Sequence, residues 1–222
     1  MRRSVTLIEI IFSIVIIGIA MVTIPTILSQ AMKSNEFSIN QEALLAGVTK
    51  MGNILTYDWD ENNTGSQALK YVLDVTNGDN ELNRYPDANS IHRIGHFMGE
   101  KRRRFASSSN YASNTLGSEE TQPDDIDDFN GKETTLITNV QSNSDYVKEF
   151  KFTTKIIYVE DDASYFQNKI GYDFPIITSH TGSTNIKMVE VKIVDKQNDE
   201  LIATLRSYAT NIGSTKLLSR IF

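Results

Sequence analysis

Between Ile10 and Met32 the chain carries no charged side chain, a run of 23 residues. As an α-helix rising about 1.5 Å per residue, this run would reach about 34 Å, enough to cross a hydrocarbon core of about 30 Å. From Val5 to Leu28, 17 of 24 positions are apolar and the single charge is Glu9. Without this segment the remaining chain is only about 36% apolar, below the roughly 45–50% of an ordinary globular domain. The sequence therefore predicts an apolar N-terminal rod followed by a polar, loop-rich body.

The run is preceded by Met1-Arg2-Arg3-Ser4. Arginines on that side predict a cytoplasmic N-terminus, with the rest of the chain across the membrane. A secretory signal also begins with basic residues, but its apolar core is only about 7–15 residues long. Here the run is longer, and Ile24-Pro25-Thr26-Ile27-Leu28 stands where a small-residue cleavage site would be needed. The segment is expected to be retained. Glu9 is the costly residue in it, because a carboxylate at the centre of an apolar span costs roughly 2.5–3.5 kcal/mol on insertion scales. Two readings of Glu9 follow: an edge residue reaching the headgroups, or a carboxylate that finds a cation in an assembled state.

Ser4-Val5-Thr6-Leu7-Ile8-Glu9, then an apolar span with Gly18 and Pro25, resembles the prepilin signal of type IV pilins and type II secretion pseudopilins. The resemblance implies cleavage between Ser4 and Val5 by prepilin peptidase, a membrane aspartyl peptidase, and methylation of the new Val5 amine. It also gives Glu9, Gly18 and Pro25 roles in assembly. Ser4 stands where the family usually has glycine, and Pro25 lies one residue early. The family logic gives Glu9 a partner, the Val5 amine of a neighbouring subunit, a pairing favoured where the dielectric constant is low.

Beyond Pro25 the helical pattern continues. Leu44, Val48, Met51 and Leu55 are spaced as one helical stripe and are expected to dock on the body. Pro25 is expected to interrupt the helix by leaving the Met21 carbonyl without its amide. The turn formers from Asp58 to Gly65 end the pattern. The predicted organisation is a leader at 1–4, a membrane and assembly helix at 5–29, its amphipathic continuation at 30–58, a variable loop-rich region at 59–133 and a β-sheet region at 134–222.

In the last of these, Val189, Val191 and Ile193 alternate with Glu190 and Lys192. A turn at Gln197-Asn198-Asp199 follows, and then Leu201, Ala203 and Leu205 alternate with their neighbours. These are two strands of a hairpin, and a further strand is expected near 149–159. An antiparallel sheet packed against the long helix gives an α+β fold, which agrees with the pilin-like fold the resemblance implies.

The absence of cysteine removes disulfides, thiol catalysis and cysteine-ligated metals from consideration. A net charge of -6, from 22 basic and 28 acidic side chains, argues against a whole-molecule nucleic-acid binder. His92 and His96 are spaced as helical zinc ligands, but Arg93 occupies the place of the general-base glutamate; His180 stands alone in a loop. Asp124, Asp125, Asp127 and Asp128 are the candidate calcium ligands. Their spacing departs from an EF-hand loop, so they read first as a solvated acidic loop. Lys101, Arg102, Arg103 and Arg104 beside Phe105 form a candidate phosphate-contacting patch; pairing with the nearby acids is the simpler reading.

No nucleophile–base set or phosphate loop is apparent, so an enzyme is not expected, nor is a resident cofactor. The expected function is structural: a minor pilin or pseudopilin assembled with sister subunits by a platform in the bacterial cytoplasmic membrane. The alternatives are a pilus-associated DNA-uptake or adhesion receptor, and an uncut signal-anchored extracytoplasmic protein.

Overall fold

The computed structural model describes residues 6–63, 70–87, 90–93, 103–106, 108–117, 122–139, 147–161, 163, 165 and 177–214. The chain divides into two compact units, Met1–Leu45 and Ala46–Phe222, and each is described by itself.

Helix α1 spans Leu7–Ile54. Its N-terminal part carries apolar side chains on every face, and they remain outside: Phe12, Ile16 and Met21 are 60%, 64% and 74% exposed. Such a surface calls for an apolar surrounding. The hydroxyls along it bond back to their own helix, Ser13 Oγ to Glu9 O at 2.7 Å and Thr23 Oγ1 to Ile19 O at 3.0 Å. These bonds hide donors that lipid could not satisfy. Contrary to the sequence expectation, Pro25 does not interrupt α1. Thr26 Oγ1 bonds to Val22 O and Thr23 O, the two carbonyls that follow the freed Met21 carbonyl, and the helical backbone runs through.

In the second unit, β3 (Glu133–Asn139), β4 (Val147–Tyr158), β5 (Ile186–Asp195) and β6 (Glu200–Thr210) form an antiparallel sheet in that spatial order, each strand beside its sequence neighbour. A separate small hairpin joins β1 (Tyr85–Asp87) to β2 (Ser90–His92). The α+β expectation is met by one long helix and this sheet. The hairpin predicted at 189–205 corresponds to β5 and β6, and the strand near 149–159 to β4. Strand β3 is absent from the sequence reading: Glu133-Thr134-Thr135 lies exposed at the sheet's edge, so burial imposes no alternation on it.

One face of the sheet builds the core through cross-strand pairs. Phe152 opposes Ile193, Thr154 opposes Val191, Ile156 opposes Val189 and Tyr158 opposes Lys187. All eight of these residues are buried. The last turns of α1 approach this face at Gly47, where an added Cβ would lie 2.5 Å from Ile193 Cδ1 and 3.2 Å from Leu205 Cδ1. Glycine in a helix costs about 0.5–1 kcal/mol relative to alanine; here it permits the close approach.

The predicted docking stripe is therefore corrected. Within this unit Met51 is buried, but Val48 and Leu55 are 51% and 36% exposed. The face that packs in this unit instead runs through Gly47, Met51 and Ile54. Hydrophobicity pointed to the larger side chains, whereas the short distance to the sheet selected the smallest one. The helix also stops at Ile54, earlier than the predicted boundary at 58, and Asp58 onward forms the bend that carries Trp59 and Asp60 into the body.

Among the described residues, polar side chains help to hold the region 59–133 to the sheet unit. Asn211 Oδ1 accepts from Leu73 N at 3.0 Å, and its Nδ2 donates to Leu73 O at 2.8 Å. Arg93 donates to Leu73 O, Asn185 Oδ1 and Asn211 O. Burial lowers its pKa to about 10. Val72 and Leu73, a short apolar run in this region, are buried.

Candidate functional site

Two places carry unusual chemistry, the start of α1 and the interior of the sheet unit. At the first, Ser4 and Val5 lie outside the described residues. Thr6 precedes the first helical residue, and Glu9 lies three residues on. Glu9 Oε2 accepts from Thr6 N at 2.8 Å and from Thr6 Oγ1 at 3.0 Å. This is half of a capping box, in which the carboxylate satisfies an amide that the first turn leaves open. Sequence reasoning missed it, although the Thr-x-x-Glu spacing at 6–9 was its signal. Glu9 thus has a partner within its own chain. Gly18 has open space around the position a Cβ would take, so packing within the chain gives no reason for a glycine there.

The second place is built around Lys187 on β5, whose side chain is fully buried. In the sequence, 187 is in phase with 189, 191 and 193, the core-facing positions of this strand, and that phase was the signal for a buried lysine. Lys187 Nζ donates to Trp59 O at 2.7 Å, to Asp60 Oδ2 at 3.1 Å and to Asp127 Oδ1. It lies 4.6 Å from the centroid of the Trp59 ring and 5.2 Å from that of Tyr158. Asp60 also accepts from Asn62 N at 3.2 Å, from Ser113 N at 3.1 Å on each oxygen and from Tyr158 OH at 3.0 Å. These donors engage both carboxylate oxygens of Asp60. Tyr158 is pushed upward by burial and by the Asp60 charge, so its hydroxyl stays a donor.

The acidic cluster corrects the reading of a solvated loop. Asp125, Asp127 and Asp128 are each 2% exposed. Asp128 Oδ2 accepts from the amides of Asp124 and Asp125, and Asp125 Oδ1 accepts from the Asp128 amide at 3.0 Å. Asp125 Oδ2 is buried with no donor directed at it, and its charged neighbours are Asp127 and Lys187. Burial first, and then the Asp127 charge, raise its pKa to about 8, so Asp125 holds a proton at neutral pH. Burial likewise raises Asp127. Of the four calcium candidates, Asp127 is engaged by the Lys187 ammonium, which also pairs with Asp60. Among the described residues, no group of three or more His, Cys, Asp or Glu side chains is arranged to hold a metal.

The remaining sequence candidates that are described are Arg103, Arg104, His92 and His180, and each is engaged separately. Lys101 and Arg102 lie outside the described residues. Arg103 Nη1 donates to Gly213 O at 3.1 Å, and Arg104 sits over the Tyr71 ring at 5.8 Å. Both are thus engaged by the body rather than by the acidic cluster. His92 is on strand β2 rather than on a helix, and His96 lies outside the described residues. His180 is in a loop with Nδ1 2.9 Å from Thr181 O.

A polar cleft of about 420 Å³ is lined by Asp74, Arg84, Arg93 and Tyr111, among others. Its arginines face protein acceptors: Arg84 pairs with Asp74 at 2.9 Å and donates to Ala106 O and Ser108 O. No family model matches the chain, and no match was found among curated proteins or solved structures.

Proposed function

We propose that this chain is a minor pilin or pseudopilin, a structural subunit that is drawn from the bacterial cytoplasmic membrane into a filament. The observation that carries the reading is the N-terminal part of α1. It has 23 uncharged positions, its most apolar window is wholly unburied in the chain, and one carboxylate lies in its first turn. Such a surface needs lipid before assembly and the helices of sister subunits after it. The long helix with an antiparallel meander is compatible with a pilin-like layout.

In this reading prepilin peptidase cuts between Ser4 and Val5, and Val5 is methylated. The body lies outside the cytoplasm, and an assembly platform in the membrane adds the subunit to a type IV pilus or type II secretion pseudopilus. Glu9 then exchanges its contact with Thr6 for the Val5 amine of a neighbour. Glu9→Val is expected to leave membrane insertion intact and to reduce incorporation in a co-assembly assay. Unchanged incorporation would remove the pairing.

The capped Glu9 favours a second reading, because a carboxylate satisfied within its own chain needs no neighbour. The protein would then be an uncut, signal-anchored extracytoplasmic domain. Mass spectrometry of the N-terminus separates the two: a methylated Val5 supports the subunit, and a chain still beginning at Met1 supports the anchor.

A further inference from the structure

The Lys187 cluster contains one ammonium and the carboxyl groups of Asp60, Asp125 and Asp127, all buried. An amine and a carboxylate condense poorly in water because both ions are strongly solvated, and condensation gives that solvation up. In a protein interior the solvation is already lost, so the neutral amide gains relative to the ion pair. Reacting groups held in contact also react as though present at effective concentrations of about 10⁵–10⁸ M.

Asp60 and Asp127 both touch Lys187 Nζ, and their other contacts distinguish them. Asp60 is held in place by backbone amides and the Tyr158 hydroxyl on its two oxygens, which positions it as the group that takes the ammonium proton. Asp127 interacts with the Asp125 side chain, and Asp125 Oδ2 is buried with no donor directed at it, so a proton on Asp125 would be available to the departing oxygen.

We propose that Lys187 Nζ and Asp127 Cγ condense into an intramolecular isopeptide bond, tying β5 to the short helical turn Asp127–Phe129. Asp60 takes a proton from the Lys187 ammonium, and the freed amine attacks Asp127 Cγ. The C–N bond forms and one C–O bond breaks. The departing oxygen receives the Asp125 proton and leaves as water. The protons released by the nitrogen restore Asp125 and complete the water molecule, so Asp60 and Asp125 end as they began. One ammonium and one carboxylate become one amide and one water, with no oxidant or co-reactant. The bond would act as a covalent staple in a chain that has no cysteine. It stands independently of the filament reading.

The test is peptide mapping of the full chain, purified in detergent, confirmed as folded by circular dichroism, then unfolded and digested with trypsin. The expected product is a branched peptide containing both Asp127 and Lys187, one water lighter than its two parts, with no cleavage after Lys187. Lys187→Arg should give only unlinked peptides. Asp125→Asn should lower the linked fraction at least about tenfold at equal time, as loss of a general acid does. Ordinary cleavage after Lys187 in the folded wild-type protein, with both peptides at full sequence mass, would overturn the proposal. A water-lighter branch through Asp60 would overturn the choice of Asp127.

Discussion

The two ends of α1 belong to opposite solutions of one problem. In the N-terminal part apolar side chains face outward, with Ile14 at 64% and Val22 at 67% exposure. In the sheet unit charged side chains face inward, with Lys187, Asp60 and Asp195 at 0%. Each arrangement is unfavourable in isolation. The buried charges find compensation inside the chain, in amides, aromatic faces and opposite charges. The exposed apolar surface finds none among the described residues, and an apolar surround would supply it. The sheet unit is therefore self-sufficient in its buried charges, whereas the apolar surface of the rod is left open. The filament reading covers that surface with lipid and then with sister helices.

The largest expected effect comes from breaking the self-sufficient half. Lys187→Met leaves Asp60 and Asp127 buried without their cation, and removing one partner of a buried pair costs about 3–5 kcal/mol. Chemical denaturation of the full chain in detergent would read this, and a loss below about 1 kcal/mol would mean that the network contributes little beyond packing. The matching change in the other half is Met21→Arg, which places a charge at the middle of the uncharged run. It should cost about 2.5–3.5 kcal/mol in insertion and shift the protein from the membrane to the soluble or degraded fraction. Normal fractionation of that variant would mean that lipid is not what covers this surface.

A smaller effect is expected where the helix meets the sheet. Gly47→Leu forces side-chain volume against Ile193 and Leu205 and should destabilise by about 1–3 kcal/mol. The same substitution at Gly18, around which the space is open, should leave the stability of the body unchanged. The smallest effect is a pH dependence. Asp125 is raised from 3.8 to about 8, so its folded form binds a proton more tightly than its unfolded form. Its contribution is complete below the unfolded value and is lost as pH rises towards 8. Stability measured between pH 5 and pH 9 should fall across this window in the wild type and be flatter in Asp125→Asn. Burial is the larger cause of the shift, so the direction holds whether or not Asp127 is covalently joined to Lys187.

The rod was legible in the sequence because its physics is local. A run of uncharged residues at 1.5 Å per residue needs no tertiary partner to be recognised, and strands β4, β5 and β6 betray themselves by alternation. The site was less legible for the opposite reason. Asp125, Asp127 and Asp128 looked like a solvated loop because acidic residues with turn formers usually are one. Only the return of β5, with a sequence separation of 60 between Lys187 and Asp127, makes them an interior. The docking stripe was misread similarly: Val48 and Leu55 were chosen for hydrophobicity, while contact distance favoured Gly47.

By itself the sequence determined that an apolar helix precedes a polar α+β body, since helix length, charge spacing and strand periodicity are properties of neighbouring residues. The tertiary structure alone decided which charges are buried, which face of the helix packs and which carboxylate keeps a proton. Those outcomes depend on solvent exclusion by segments far apart in the chain, and exclusion exists only once they have come together.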